Sequence, residues 1–415
     1  MSLPKAKESA FVKNLIAVLL ILTFLLSFSG CLGETSPAPG TTSSTHKSND
    51  PPKTAAEEMR AVWLTHNEIY HMCKSEEGFT QSTENAFSRL SEAGINTVIV
   101  QMRPFSDALY RSDIFPSSSY LGIIQGEAPA FDALEIVISA AEKHSLSVHA
   151  WINPFRVSYG TDFSALADTN PAKIWYTEDA SSPDLIVCEK GIWYKPSSPR
   201  VQKLIIDGAC EIVRNYDIDA IHIDDYFYPV TDENIDAAQY AEYTALGGTL
   251  SLEQWRREQI SCTVAGLYAA IKRIKAHVLL GISPSGKMSY NRDEMYADVA
   301  KWCAQSGYLD YIAPQLYYGF ENEICPFEST AREWQELVKD PDITLIFGLA
   351  AYKCGNEDEF AARAESTGSA KYEWVNNSDI IRRQINFVRS LEKHGGFALF
   401  SFSGIWNTNI DDFSP

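Results

Sequence analysis

Short runs in which apolar and polar residues alternate recur along the chain, and they are separated by stretches of helical periodicity. The runs favour β-strands because they are rich in β-branched and aromatic residues and repeat every two positions. The intervening stretches include the amphipathic helical patterns 82–93, 133–144, 200–216 and 252–276. The predicted strands are 60–65, 95–101, 147–151, 218–224, 278–283, 308–316, 344–349 and 396–402.

An alternation of strands and helices through eight units predicts an α/β fold, the (β/α)₈ barrel. A doubly wound open sheet is the alternative, but it usually carries a glycine-rich phosphate turn after its first strand, and this sequence has none there. The long segments 103–131 and 153–199 follow the carboxyl ends of predicted strands, and a further insertion covers 355–375. Barrel loops at those ends build active sites.

The fourth predicted strand ends in two adjacent carboxylates. Side chains alternate along a strand, so His222 and Asp224 share one face, and Ile221 and Ile223 share the other. A polar inner face and an apolar outer face are typical of a catalytic barrel strand. Capping of the next helix is the alternative role of such a carboxylate. We interpret Asp224 and the adjacent Asp225 as catalytic candidates, because clustered buried charge is rare.

Three other strands place polar or aromatic side chains on one face near their carboxyl ends. Each side chain taken singly could be a core residue, but buried polar groups cost free energy unless they are paired. Aromatic faces stack on sugar rings, and amide, imidazole and guanidinium groups bind hydroxyls. The pattern therefore indicates a sugar-binding pocket that contains Arg103, His149, Trp151, Asn153, His222, Asp224, Gln315 and Tyr317, with loop aromatics such as Tyr228 nearby.

The amino terminus has the features of an export signal. Lys5, Lys7 and Lys13 precede an apolar run over 15–28 that ends at Ser29, Gly30 and Cys31. Small residues before a cysteine resemble the bacterial lipobox, in which that cysteine is lipidated; an uncleaved signal anchor is the alternative. We expect a signal peptide over 1–30, a lipidated Cys31 that begins a flexible tether over 31–57, and a folded domain over 58–415. Either alternative would hold the folded domain on the outer face of the bacterial cytoplasmic membrane.

Charge and cysteine content limit the functional classes. The formal net charge is −19, which argues against nucleic acid as a partner. The chain has 8 cysteines, with no Cys-x-x-Cys pair and no Cys/His spacing typical of a metal site. We predict no metal and no cofactor, and the sequence leaves open whether one disulfide forms.

Several segments resemble the glycosyl-hydrolase-like 10 family of bacterial, often lipid-anchored proteins. The resemblance implies a TIM barrel and glycoside hydrolase activity, and it adds Arg156 and Tyr228 to the expected substrate-binding residues. The family is distantly similar to the α-amylase and α-galactosidase superfamily, whose nucleophilic Asp ends strand four; that position is Asp224 here. The segments are 60–63, 101–104, 107–110, 148–156, 221–229, 282–284 and 314–317.

The resemblance does not select the acid/base residue. The distant relatives use a carboxylate on a later strand, but the fifth strand here continues as Ser283-Pro284-Ser285. Asp107 is the first candidate and Asp225 the second. Three hypotheses follow. The first is a membrane-tethered glycoside hydrolase acting on a poly- or oligosaccharide such as cell-wall glycan, and the second is an inactive glycan-binding lipoprotein. The third is a metal-dependent hydrolase, such as a deacetylase, that uses His149, His222, Asp224 and Asp225.

Overall fold

Eight parallel strands close into a barrel in the computed structural model, which describes residues 57–73, 75–362 and 368–415. The strands follow one another around the barrel in the order in which they occur along the chain. They are β1 (Met59–Leu64), β2 (Thr97–Arg103), β3 (Ser147–Ile152), β7 (Ala220–Ile223), β8 (Leu279–Ile282), β9 (Tyr311–Ile312), β10 (Thr344–Leu349) and β11 (Gly396–Phe400). The predicted (β/α)₈ fold is therefore confirmed.

The long connection between β3 and β7 folds into a structure of its own. It contains β4 (Arg156–Ser158), β5 (Leu185–Cys188) and β6 (Gly191–Tyr194), which form a three-stranded antiparallel sheet in the order β4-β6-β5. The helix Pro171–Glu178 lies within the same insertion. The insertion follows the carboxyl end of β3, so it belongs to the side of the barrel where active sites form.

The helices that alternate with the barrel strands pack on the outward-facing strand residues. The long ones begin at side-chain caps: Ser198 accepts a hydrogen bond from the Val201 amide, and Ser251 forms a capping box with Gln254. The described α-helices are His66–Met72, Glu76–Glu92, Ala133–Lys143, Pro171–Glu178, Pro199–Asn215, Ala237–Ala245, Leu252–Ile274, Met288–Asp293, Val299–Trp302, Phe327–Leu337, Glu373–Asn376 and Ile380–Ser390.

The sixth barrel strand is much shorter than predicted. The pattern over 308–316 indicated one continuous strand, but β9 contains only Tyr311 and Ile312. Pro314 has no backbone N–H to donate to a neighbouring strand, so regular pairing stops before it. Pairing resumes beyond the proline at Gln315, which bridges to Ser285 on one side and Gly348 on the other. Gln315 is thereby held at the carboxyl end of the barrel.

Inside the barrel, alternate strand residues form a layer of mixed aromatic and small side chains. Trp63, Trp151 and Tyr311 are the large members, and alanines on neighbouring strands make room for them. Gly281 is required at its position because a Cβ there would lie 1.8 Å from the ring of Tyr311. The Tyr311 ring can therefore cross the interior of the barrel.

The predicted signal peptide, the lipidation site Cys31 and most of the tether lie outside the described residues. In the part of the chain that the structure describes, no helix combines the length and apolar character needed to cross a membrane. The seven described cysteines are free thiols.

Candidate active site

Asp224 and Asp225 lie directly after β7, at the carboxyl end of the barrel. Asp224 is 2% exposed, and its Oδ2 accepts a hydrogen bond of 3.2 Å from the indole Nε1–H of Trp151. Trp151 is on β3, next to β7, in register with His222. The alternation along two neighbouring strands therefore brings Trp151 and Asp224 together, as the sequence pattern predicted.

The two carboxyl groups perturb each other. Burial raises the pKa of Asp224 well above its usual range, and the neighbouring charge of Asp225 raises it further. Burial raises the pKa of Asp225 to about 6, against opposing contributions from its own backbone amide, Gln315 and Arg156. Two close, buried carboxyls titrate as a unit. Both shifts favour the protonated forms, so the pair holds a proton to a higher pH than isolated carboxyls do, as an acid/base site requires.

A buried hydrogen-bond chain lies below the pair, inside the barrel. The hydroxyl of Tyr311 is 2.8 Å from Nδ1 of His149 and 2.8 Å from Nδ1 of His222. The indole N–H of Trp63 donates to Nε2 of His222 at 3.2 Å. Burial lowers the pKa of His149 to about 3 and that of His222 well below its ordinary value. Both rings are therefore neutral at physiological pH.

The donor and acceptor roles in this chain follow from chemistry. An indole nitrogen can only donate, so Nε2 of neutral His222 accepts and its proton must be on Nδ1. His222 then donates to the Tyr311 oxygen, and the Tyr311 hydroxyl donates to Nδ1 of His149. Because both nitrogens of His222 are engaged, His222 is not available as a metal ligand, which disfavours the deacetylase hypothesis.

Replacing Tyr311 by Phe should destabilise the protein by about 1–3 kcal/mol, because two buried histidines would each lose a partner. The free energy of unfolding from urea titration measures this cost. Tyr176→Phe is the matched control, since Tyr176 is partly exposed and stacks on Phe163 with ring centroids 4.0 Å apart. Equal stabilities of the two variants would contradict the proposed chain.

A second polar cluster contains a residue that the sequence analysis missed. His66 follows β1, and its Nδ1 lies 2.6 Å from Oε1 of Gln101, which also accepts the His66 backbone N–H. The Gln101 amide donates to Oδ1 of Asn153 at 3.1 Å. Nδ2 of Asn153 is buried and has no hydrogen-bond partner in the described residues. A polar residue directly after the first strand was the available sequence signal for His66.

Arg103 does not lie on the face that alternation predicted. The register shifts between Gln101 and Arg103, so that Arg103 pairs with Ile152, whose side chain packs in the core outside the barrel. Its guanidinium is fully buried 4.6 Å from the centre of the Phe115 ring. The expectation that Arg103 lies in the inward-facing pocket is therefore wrong, because a β-bulge inverts the alternation that follows it.

Asp107 lies in the loop after β2 and contacts other parts of the segment that follows that strand. Its Oδ2 accepts a hydrogen bond of 2.9 Å from Nε2 of Gln125. Burial raises the pKa of Asp107 to about 6, opposed by contacts with Gln125 and Ser118 and by the charge of Arg103.

Arg156 and Tyr317 lie beside the carboxyl pair, whereas the hydroxyl of Tyr228 is engaged elsewhere. The charge of Arg156 lowers the pKa of both Asp224 and Asp225. Burial raises the pKa of Tyr317, and the nearby charges of the pair add to this rise. Tyr228 is fully buried and donates to the carboxylate of Asp236 at 3.0 Å.

A cleft of about 400 Å³ opens next to Asp225. Its walls come from the β7 loop, from the antiparallel sheet with its adjoining turns and from the segment after β8, and half of the lining residues are aromatic. The aromatic and basic lining residues are Arg156, Tyr159, Lys190, Trp193, Tyr226, Tyr228 and Tyr290. Trp193 and Tyr226 have ring centroids 6.1 Å apart. A carboxyl group beside aromatic walls can bind a sugar ring and exchange protons with it.

A (β/α)₈ barrel with paired carboxyls at the end of its fourth barrel strand, facing an aromatic cleft, belongs to the glycoside hydrolase-like class of barrels. The chain matches the glycosyl hydrolase-like 10 family over residues 58–363 and belongs to that family. This result confirms the resemblance found in the sequence.

Curated relatives and solved structures agree with this assignment. The chain is 32% identical over 373 residues to glycosyl hydrolase YngK of Bacillus subtilis, covering 84% of this chain and 69% of the relative. It is 31% identical over 349 residues to glycosyl hydrolase DigH of Escherichia coli K12, covering 77% and 75%. The glycoside hydrolase domain of PgaB from Bordetella bronchiseptica has a similar fold, with a TM-score of 0.57 at 13% identity, over 86% of this chain and 100% of that domain.

Proposed function

We propose that this protein is a glycoside hydrolase that cleaves a poly- or oligosaccharide with the Asp224–Asp225 pair. The observation that carries the proposal is the pair itself: buried Asp224 accepts a hydrogen bond from the indole N–H of Trp151, and Asp225 lines a cleft with aromatic walls. Glycosidic bond hydrolysis typically uses two carboxyl groups, one that donates a proton and one that faces the developing positive charge. The names of the curated relatives support the same reaction class.

The two carboxyls have different roles in this proposal. Asp225 lines the cleft and gives the shared proton to the leaving-group oxygen. In this proposal the pair's single proton lies on Asp225 when substrate is bound, so Asp224 is ionised there even though burial raises its pKa more than that of Asp225. Held in place by Trp151, Asp224 acts as nucleophile or charge stabiliser at the anomeric carbon. Asp107 is the weaker candidate for the donor, because its carboxylate is bonded to Gln125 in the loop after β2.

The remaining predicted residues divide into those that can contact substrate and those that support them. Trp151, Arg156, Gln315 and Tyr317 lie around the pair and position the sugar. Asn153, which accepts a hydrogen bond from Gln101 and has an Nδ2 without a partner among the described residues, is assigned the same role. His149 and His222 are buried beneath them and maintain the geometry of the barrel end. The guanidinium of Arg103 is buried against the Phe115 ring, and the hydroxyl of Tyr228 is bonded to Asp236, so we assign neither a hydrogen bond to the substrate, although the Tyr228 ring lines the cleft.

The pair also determines the expected pH dependence. The active form carries one proton, so activity should fall when the pH drops below about 6, where the pair gains a second proton. Protonation of His149 cannot cause this fall in activity near pH 6, since the pKa of His149 is about 3. A kcat/KM profile from pH 4 to 9 measures the effect. Full activity maintained down to pH 4 would contradict the assignment.

We also propose that the protein is attached to the outer face of the cytoplasmic membrane. The apolar run over 15–28 followed by Cys31 supports tethering to the outer face of the cytoplasmic membrane, where cell-wall glycan is accessible. Fractionation of cells expressing the full chain tests this, with Cys31→Ser as the comparison. Release of the variant from the membrane is the expected result, and a wild-type protein in the cytoplasmic fraction would contradict it.

A product screen tests the reaction itself. The full-length chain in detergent is incubated with a panel of neutral and charged glycans and with purified peptidoglycan, and products are identified by mass spectrometry. Shortened saccharides with new reducing ends are expected. Because β8 is followed by Ser283 rather than a carboxylate, an inactive glycan-binding protein is the second candidate. Glycan binding without any product after long incubation would favour that candidate.

A further inference from the structure

The guanidinium of Arg156 is held by aromatic rings and leaves its donors unused. It lies 4.2 Å from the ring centre of Tyr226, 4.7 Å from that of Tyr159 and 4.9 Å from that of Phe105. The residue is only 5% exposed. Its side chain forms no hydrogen bond or ion pair with any of the described residues, and its buried Nε is without a partner.

Such an arrangement is costly unless a ligand completes it. Buried polar groups are normally hydrogen-bonded, and a buried cation without partners is especially unfavourable. Contacts with three aromatic faces fix the guanidinium plane but leave its in-plane N–H groups available. These N–H groups belong to a residue that lines the cleft beside Asp225. They are therefore available to a molecule bound in that cleft.

The cleft is locally basic in a strongly acidic chain. Arg156 and Lys190 are its two cationic lining residues, and Asp225 is the one carboxylate among the residues that line it. The chain as a whole has a formal net charge of −19. Lys190 donates to the carbonyl oxygen of Pro229 at 2.7 Å, which places its ammonium group at the rim. This local reversal of charge favours an anionic ligand.

A simpler role for Arg156 is to neutralise the carboxyl pair. It does affect the pKa of Asp224 and Asp225, but it forms no ion pair within 4.0 Å with either of them in the described structure. A dedicated counter-ion would normally donate bidentate hydrogen bonds to its carboxylate. A role in neutralising the carboxyl pair therefore does not explain why the N–H groups of Arg156 have no hydrogen-bond partner among the described residues.

We propose that Arg156, supported by Lys190, forms a subsite for a sugar that carries a carboxylate. The planar guanidinium fork matches a carboxylate, and its fixed orientation reduces the entropy cost of binding. The inference rests on the proposed glycan-cleaving function and specifies the substrate as an acidic glycan. Two sources share this chemistry: uronic acid residues and amino sugars with a lactyl ether.

The experiment compares each acidic glycan with its carboxyl-reduced form, in which the carboxylate is replaced by a primary alcohol on the same backbone. One pair contains uronate and the other contains peptide-free, lactyl-bearing glycan strands. Affinities are measured by calorimetry on the full-length chain in detergent in the Asp224→Asn background, so that cleavage does not consume the ligand. Wild-type turnover is recorded separately.

The acidic form of at least one pair should bind about 10- to 100-fold more tightly than its reduced form, as expected for hydrogen bonds to a charged group. Arg156→Gln should abolish this preference, and Arg156→Lys should retain only part of it because the fork is lost. Arg200→Gln is the matched control, since Arg200 lies on the ring of Trp175 at an exposed site. It should leave the preference unchanged.

Three results would overturn the inference: equal binding of acidic and reduced forms in both pairs, a preference that survives in Arg156→Gln, or absence of binding to all four glycans. Absence of turnover alone contradicts the proposed hydrolase function and not this subsite, because affinity is measured independently of cleavage. The pair that shows the preference identifies which source supplies the carboxylate.

Discussion

Asp224→Asn and Asp225→Asn should each lower kcat/KM by about 10²- to 10⁴-fold, the usual contribution of a group that transfers a proton or stabilises charge in the transition state. Asparagine has nearly the same shape as aspartate, but it neither ionises nor donates an acidic proton. In Asp224→Asn the Trp151 N–H can still donate to the side-chain oxygen of the substituted amide, so the geometry should persist. The loss should therefore appear in kcat rather than mainly in KM.

The same variants should be somewhat more stable than the wild type at neutral pH. Folding raises the pKa values of both carboxyls. Their contribution to the stability of the wild type is therefore fully present below the unfolded-state pKa values, and it is lost as the pH rises through the folded-state values. A higher Tm of the variants at pH 7 that disappears near pH 4 is expected. Asp207→Asn on the surface should leave activity unchanged and should not raise Tm, because it removes only a surface ion pair with Lys203.

Arg256→Ala should destabilise the protein by about 3–5 kcal/mol, the usual cost of leaving one partner of a buried ion pair uncompensated. Arg256 and Asp236 are both fully buried, and Arg256 Nη2 donates to Asp236 Oδ1 at 2.6 Å. Arg256 also donates to the carbonyl oxygens of Thr231 and Asp232, in the loop that follows the catalytic pair. Loss of Arg256 should thus loosen this loop.

Urea titration measures this cost, and Lys203→Ala is the matched control. Lys203 pairs with Asp207 one helical turn away at the surface, where ion pairs contribute about 0–1 kcal/mol. The double variant Arg256→Met with Asp236→Leu should recover part of the stability lost in Arg256→Ala, because no unpaired buried charge remains. An Arg256→Ala variant as stable as Lys203→Ala would show that the ion pair does not anchor the loop.

The barrel and the catalytic strand could be predicted from the sequence because both depend on local periodicity. Alternation alone placed Trp151 and Asp224 on inward faces, and their hydrogen bond confirms that their side chains meet. Arg103 could not be placed this way, because one extra residue in a bulge reverses the faces and leaves no signal in the apolar pattern.

Other parts of the site depend on contacts between distant segments. Tyr311 looked like an ordinary strand aromatic, and its bridge between His149 and His222 requires three strands to be in register. The antiparallel sheet of the insertion, which brings Arg156 to the cleft, was only an unusually long connection in the sequence. His66 could not be found from strand alternation, because it begins the helix after β1.

The most direct test of the central claim is product formation by four proteins side by side on the glycan that the screen identifies. They are the wild type, Asp224→Asn, Asp225→Asn and Asp107→Asn, with Asp107→Asn serving as a matched buried carboxyl. The account predicts products from the wild type and from Asp107→Asn, and at most about 1% of the wild-type rate from the two variants of the pair. Undiminished turnover by Asp224→Asn or Asp225→Asn, or a loss confined to Asp107→Asn, would contradict it.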